Sequence, residues 1–170
     1  MGGMIRVETV LDSWKSVRQD TALAVEDMPA GEQDFKPTPE VSSFREIARH
    51  VLDASHALTG ALLAGVDNLA TPEFRPMLKK YMRPLPEKLD AAALAAELRP
   101  SVEERCAELV RQPAEFYAGL ITRMDGQQVT RLEMIQFVKE HELTHRAQMF
   151  VYLRLKGIVP PTTRRRQAKK

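Results

Sequence analysis

The segment from Thr130 to Lys156 constrains the possible fold more than any other part of this chain. It opens on a capping box, Thr130 with Glu133 three residues later, and closes on Gly157 followed by Pro160-Pro161. Between these signals apolar residues recur every three or four positions, the period of an amphipathic helix. Such a helix must bury its apolar side against partners, and three more stretches supply them. Val7, Val10, Leu11, Trp14, Val17, Thr21, Val25 and Met28 form the first stripe, which stops at Pro29 and Gly31. After an extended, Pro-containing connector, Ser43 and Glu46 make a second capping box. Phe44, Ile47, Val51, Ala54, Leu58 and Leu62 follow as the second stripe, with Gly65 as its stop.

Residues 67–90 carry Pro72, Pro76, Pro84 and Pro86 and read as a long crossover with one short helix around Phe74–Tyr81. Asp90 can cap an alanine-rich third helix that Pro100 ends or kinks. Ser101 with Glu104 offers a further capping box, and helical pattern resumes through Val102, Cys106, Leu109 and Val110 until Pro113. Phe116, Leu120 and Ile121 continue the packing before Asp125-Gly126 makes a turn. Strong β signals are thin. Four amphipathic helices with one long crossover predict an all-α four-helix bundle.

Charge and length refine this. The 170 residues suit one domain, and 44% hydrophobic with 28% charged residues is a globular balance. The net charge of +2 belongs to the end of the chain: Arg164, Arg165, Arg166, Lys169 and Lys170 lie in the last nine residues, and without them 20 basic residues face 23 acidic ones. The expected organisation is a domain over 1–161 and a basic, disordered tail over 162–170. That tail is short, lacks aromatics for base stacking and follows an acidic body, so a solvated terminus accounts for it better than a nucleic-acid arm. No apolar run approaches the roughly 18–20 residues that cross a bilayer. MGGMIRVETV has no basic region followed by an apolar stretch, so no signal peptide is expected; Met1-Gly2-Gly3 reads as an added remnant or a flexible start. One cysteine, Cys106, excludes an internal disulfide and suits a reducing cytoplasm.

The chemistry-bearing residues are histidines. His141 and His145 stand four residues apart, on one face of the last helix, within the apolar seam Met134, Val138, Met149, Tyr152. Unpaired polar groups in such a seam cost on the order of 1–3 kcal/mol each, and a shared metal ion satisfies two imidazoles at once. The alternative is a separate hydrogen-bond partner for each ring. His50 sits beside Ile47, Val51 and Ala54 on the second stripe and can complete a set of three ligands with an open fourth position. His56 lies six residues on, roughly 120° away at about 100° per residue, and is expected at the surface or an interface. The string HELTH also fits the H-E-x-x-H zinc-protease helix. Zinc proteases of that kind take a third ligand downstream, and no Asp, Glu, His or Cys follows His145.

With these residues in view, SSFREIARHV around His50 and KEHELTHRAQMFVYLRLKGIVPP resemble the DinB/YfiT-like superfamily of metal-binding bundles, as does the lead-in DGQQVTRLEM. The resemblance implies an up-down-down-up bundle, a nickel or zinc ion on three histidines that carry over onto His50, His141 and His145, and a homodimer. It also implies a small-molecule substrate and, by analogy with relatives, a low-molecular-weight thiol such as bacillithiol or mycothiol. The expected function is a metal-dependent enzyme, either a thiol S-transferase or a hydrolase. The competing expectation is a bundle whose metal is structural or sensory. Glu142, next to a ligand, is a candidate catalytic base, a carboxylate orienting an imidazole, or a solvated helix residue. Arg146 and Gln148 border the site by sequence and are candidates for binding a substrate carboxylate; a surface ion pair is the simpler role for Arg146, and packing the simpler role for Tyr152. Cys106 reads as a small core residue or, less simply, a thiolate ligand. Phe137 and Phe150 suit either a dimer face or the core.

Overall fold

In a computed structural model describing residues 6–169, four long helices dominate the described residues: α1 (Val7–Asp27), α2 (Phe44–Leu63), α4 (Ala91–Leu109) and α6 (Arg131–Leu155). Short elements join them: α3 (Phe74–Leu78), α5 (Ala114–Ala118), the strands β1 (Leu120–Thr122) and β2 (Gln128–Thr130), and α7 (Pro161–Gln167). Met1–Gly3 and Lys170 lie outside the described residues. The start signals act as read. Ser43 Oγ accepts from Glu46 N while the Glu46 carboxylate accepts from Ser43 N, and Thr130 with Glu133 repeats the arrangement. Asp90 accepts from Ala93 N at 2.8 Å to start α4.

Side-chain links fix the helix directions. Lys15 meets Glu103 at 3.0 Å and Glu26 meets Arg99 at 2.6 Å, so α1 and α4 are antiparallel. Trp14 reaches Glu142 and Asp20 reaches Arg146, so α1 and α6 are parallel. Tyr152 donates to Ser42 O at 2.9 Å while His50 faces His141, so α2 and α6 are antiparallel. Arg45 donates to Leu89 O and Arg105 to His56 O, so α2 and α4 run together. The bundle is up-down-down-up, and the parallel α2–α4 pair explains why the chain needs the long crossover. No helix among the described residues is long and apolar enough to cross a membrane.

Two apolar clusters fill the interior. Val25, Met28, Phe44, Leu52, Leu98, Met149, Phe150 and Leu153 pack one end, and Trp14, Leu62, Leu109, Ile121, Met134 and Val138 the other. At the level between them the interior is ionic. Arg18 and Glu142, 1% and 0% exposed, form an ion pair at 2.7 Å. All five guanidinium N–H groups of Arg18 are used: Nε and Nη2 donate to Glu142, Nη1 to Leu98 O and Ser101 Oγ, and Nη2 also to Ser55 Oγ. Trp14 Nε1 and Thr21 Oγ1 donate to the same carboxylate at 2.8 and 3.0 Å. One network therefore joins all four long helices.

Several expectations give way here. Pro100 does not end α4, which continues to Leu109, and Ser101 is not a cap. Its hydroxyl turns inward, accepting from Arg18 and donating to Leu98 O. The Asp125-Gly126 turn forms as read, with Gly126 at φ 83°, where a side chain would be strained, but the residues it joins are a short antiparallel β hairpin (Ile121 opposite Val129) in a chain expected to be all-α. Leu69 N donates to Thr122 O and Thr122 N to Asp67 O, which ties this hairpin to the crossover. The basic segment expected to be a disordered tail instead begins as a helix on α1, with Arg164 bound to Asp27 and Arg165 to Asp20, each at 2.7 Å. His56 is buried rather than at the surface. The crossover turn at Lys79–Tyr81 and Arg105 of α4 close over that side of α2; an added Cβ at Gly60 would sit 3.0 Å from Tyr81 Cβ.

Candidate metal centre

The groove between α2 and α6 brings His50, His141 and His145 together. Nε2 of His141 lies 3.2 Å from Nε2 of His50 and 3.1 Å from Nε2 of His145. One ligand atom from each of the three falls within 4.8 Å of the other two. The rings stand edge to face, with centroids 4.5–5.0 Å apart. The trio does not sit in the bundle interior: His141 and His145 are half-buried and the His50 residue is exposed. The helical register gives the reason. Met134, Val138, Glu142, Met149 and Leu153 occupy the buried line of α6, and the histidines flank that line on the side facing α2.

Hydrogen bonding fixes which nitrogen is free. His145 Nδ1 lies 2.8 Å from Gln148 Oε1, an acceptor only, so the proton belongs on Nδ1 and the lone pair on Nε2. Burial, followed by the nearby His145 and His50, pushes the His141 imidazole down to about 4. Burial and then His145 also lower His50. Three ring nitrogens that converge this closely cannot all keep separate hydrogen-bond partners, and a cation among them would satisfy all three. Metal–nitrogen bonds of about 2.0–2.1 Å in tetrahedral geometry imply ligand nitrogens about 3.3 Å apart, close to the two separations observed. Three imidazole nitrogens form a donor set that fits a divalent transition-metal ion.

Glu142 does not face this centre with a free oxygen. Oε1 accepts from Arg18 Nε and Thr21 Oγ1, and Oε2 from Trp14 Nε1 and Arg18 Nη2. Four donors saturate a carboxylate, and none of them is an imidazole. Arg146 turns to α1, where it pairs with Asp20 at 3.3 Å. Gln148, a candidate for binding a substrate carboxylate by sequence, meets His145 Nδ1 with its amide oxygen instead. Tyr152 packs against Phe35 and Phe44. Phe150 is core, whereas Phe137 stacks on His141 at 6.3 Å with Arg123 over its own ring. Cys106 is buried in the cluster around Trp14 with its thiol pushed up to about 12 by burial, so it is an inert core residue.

A cleft of about 740 Å³ opens from His50 and His141 toward the crossover. Its walls include Ala54, Leu58, Leu69, Phe74, Leu78, Met82, Met124 and Phe137, and its charged residues are Asp53, Arg75 and Lys79. Arg49 binds one Asp53 oxygen at 2.7 Å, while Asp53 Oδ1 is buried without a partner. No sequence periodicity pointed to this wall, because the crossover and hairpin that build it are irregular.

A bundle of this topology with a histidine trio on α2 and α6 defines a class, and comparison with known proteins agrees. A sequence profile of the DinB family matches residues 4–170, and the chain belongs to that family. Among solved structures it is similar to a DinB-like protein from Bacillus subtilis, with 22% identity over 88% of this chain and 92% of that one and a TM-score of 0.68. It is also similar to YfiT from Bacillus subtilis, described as a probable metal-dependent hydrolase with an unusual four-helix bundle topology. That match has 16% identity over 93% of each chain and a TM-score of 0.70. A third similar structure is a mycothiol-dependent maleylpyruvate isomerase, with 13% identity over 85% of this chain and 61% of that one and a TM-score of 0.64. No curated protein matches the sequence.

Proposed function

We propose that His50, His141 and His145 hold one divalent ion, zinc or nickel, and that the chain is a metal-dependent enzyme acting on a small molecule. The observation that carries this reading is the convergence of three Nε2 atoms at the end of an open, largely apolar cleft. When bound there, the ion supplies Lewis acidity and lowers the pKa of a coordinated water or thiol. The remaining work falls to the protein. Gln148 holds the His145 tautomer, Phe137 packs on the His141 ring, and the apolar wall strips water from whatever lies beside the imidazoles. Three ligands at an open groove suit catalysis better than a structural site, which is normally closed by four.

The saturated Glu142 carboxylate bears on the choice of reaction. It has no lone pair left to take a proton from water, so a base-assisted hydrolysis of the zinc-protease type lacks its base. Transfer or isomerisation involving a low-molecular-weight thiol needs no such group and is the reading we favour over hydrolysis. The exposed row Leu143, Val151 and Leu155 on α6 supports a homodimer, and the lone, buried Cys106 supports a cytoplasmic setting. Calorimetric titration of zinc into chelator-stripped protein tests the metal reading. About one ion per chain is expected, lost in His141→Ala, whereas equal uptake by that variant would refute the assignment.

A further inference from the structure

We infer that the cleft selects an anionic organic molecule with an apolar body, and that Arg75 and Lys79 receive its charged end. This deepens the proposed function and rests on the trio being the reacting end of the cleft. Arg75 and Lys79 lie four residues apart, at α3 and the turn that follows it, so both project from one side of the crossover. Both line the cleft and both are exposed. Among the described residues neither has a carboxylate within salt-bridge distance, although most other arginines near the helices are paired. The acid on the same lining, Asp53, is held by Arg49 at 2.7 Å and makes no ion pair with either.

The lining carries two unpaired cations against one acid that already holds an arginine, so its charge is net positive. Two free cations stand at the crossover, and the histidines, with Asp53 beside His50, stand at the opposite side. Between the ends the lining is aliphatic and aromatic: Leu58, Leu78, Met82, Met124 and Phe137. Low-dielectric walls focus such a field and draw in a molecule of the opposite sign. A neutral molecule would leave both cations with water alone, and a cationic one would be repelled from the crossover end. The ligand class that satisfies the whole surface is an organic acid whose anionic group is bound at Arg75 and Lys79 and whose apolar part lies along Phe137.

Nuclear magnetic resonance titrations of 4-phenylbutyrate and 4-phenylbutan-1-ol compare one apolar body with and without the charge. They are run on zinc-loaded and on chelator-stripped full-length protein. The acid is expected to bind about tenfold more tightly than the alcohol in both forms, the gain expected of two partly screened charge-assisted contacts. In the Arg75→Gln/Lys79→Gln variant that preference should fall to near parity while alcohol binding is unchanged. Both positions are exposed, so the variant should fold. Equal binding of the two ligands by the unaltered chain, absence of binding to the cleft, or an undiminished preference in the variant would each overturn the proposal. The stripped arm separates the two readings: failure of zinc to bind the histidines defeats the metal assignment yet leaves the charge preference measurable.

Discussion

Replacing Glu142 with glutamine tests whether this residue is a structural keystone or a catalytic base. Both carboxylate oxygens accept from donors: Oε1 from Arg18 Nε and Thr21 Oγ1, Oε2 from Trp14 Nε1 and Arg18 Nη2. Glutamine keeps the shape but has one oxygen and one NH2. Whichever way the amide turns, its NH2 faces an Arg18 N–H. The guanidinium, 1% exposed, then loses its counter-charge out of reach of bulk solvent. Breaking a buried pair from one side costs about 3–5 kcal/mol, because it leaves an uncompensated charge. For a chain of this size about 1 kcal/mol moves the melting temperature by 2–4 °C, so a fall of roughly 6–20 °C is expected. Thermal denaturation followed by circular dichroism measures it, and zinc stoichiometry at a temperature where the variant is folded should stay near one per chain. The double change Arg18→Met/Glu142→Met should recover part of the loss, since removing both charges leaves no orphan. A glutamine variant that melts within about 2 °C of the parent would refute the keystone role.

Two further predictions concern histidines. Gln148→Leu removes the acceptor for His145 Nδ1 and should weaken zinc binding about 10–100-fold with little change in stability of the metal-free chain, read by competition with a chelator. His56 is depressed to about 4, mainly by burial and then by Arg105 and Arg83. Because its folded value lies below the ordinary 6.5, the unfolded chain binds the extra proton first as pH falls. Stability from this residue is therefore fully present above about pH 6.5 and drains away down to about pH 4, by about 2–3 kcal/mol. Denaturant midpoints from pH 4 to 7 should show a shallower slope in His56→Gln, and an unchanged slope would count against this cause.

The fold was legible because local signals agreed. The capping boxes at Ser43 and Thr130, Asp90 before α4, and Gly157 after α6 each act on the backbone within a few residues. That His141 and His145 share a face was legible for the same reason, since their spacing of four residues on one helix puts them there, and the second stripe brought His50 toward them. What spacing cannot reveal is which of two adjacent faces is the deeper one. Glu142 occupies the core line because Trp14, Arg18 and Thr21 of α1 wait for it, a match between helices 120–130 residues apart in the chain. Trp14, Arg18 and Thr21 do recur at helical spacing, and a cation inside an apolar stripe was the available hint. His56 was misplaced because its cover comes from the crossover, whose four prolines carry no periodicity. The hairpin had a signal, Asp125-Gly126 between Ile121 and Val129, but three-residue strands are too short for alternation to show.

The central claim is that three imidazoles share one ion. A crystal structure of the purified protein, with diffraction recorded on both sides of the zinc and nickel absorption edges, tests it most directly. One anomalous peak per chain is predicted, bonded to Nε2 of His50, His141 and His145 at about 2.0–2.1 Å, with the remaining position open to the cleft. Protein that binds zinc in solution yet shows no peak at that point, or a peak coordinated by other residues, would contradict the account.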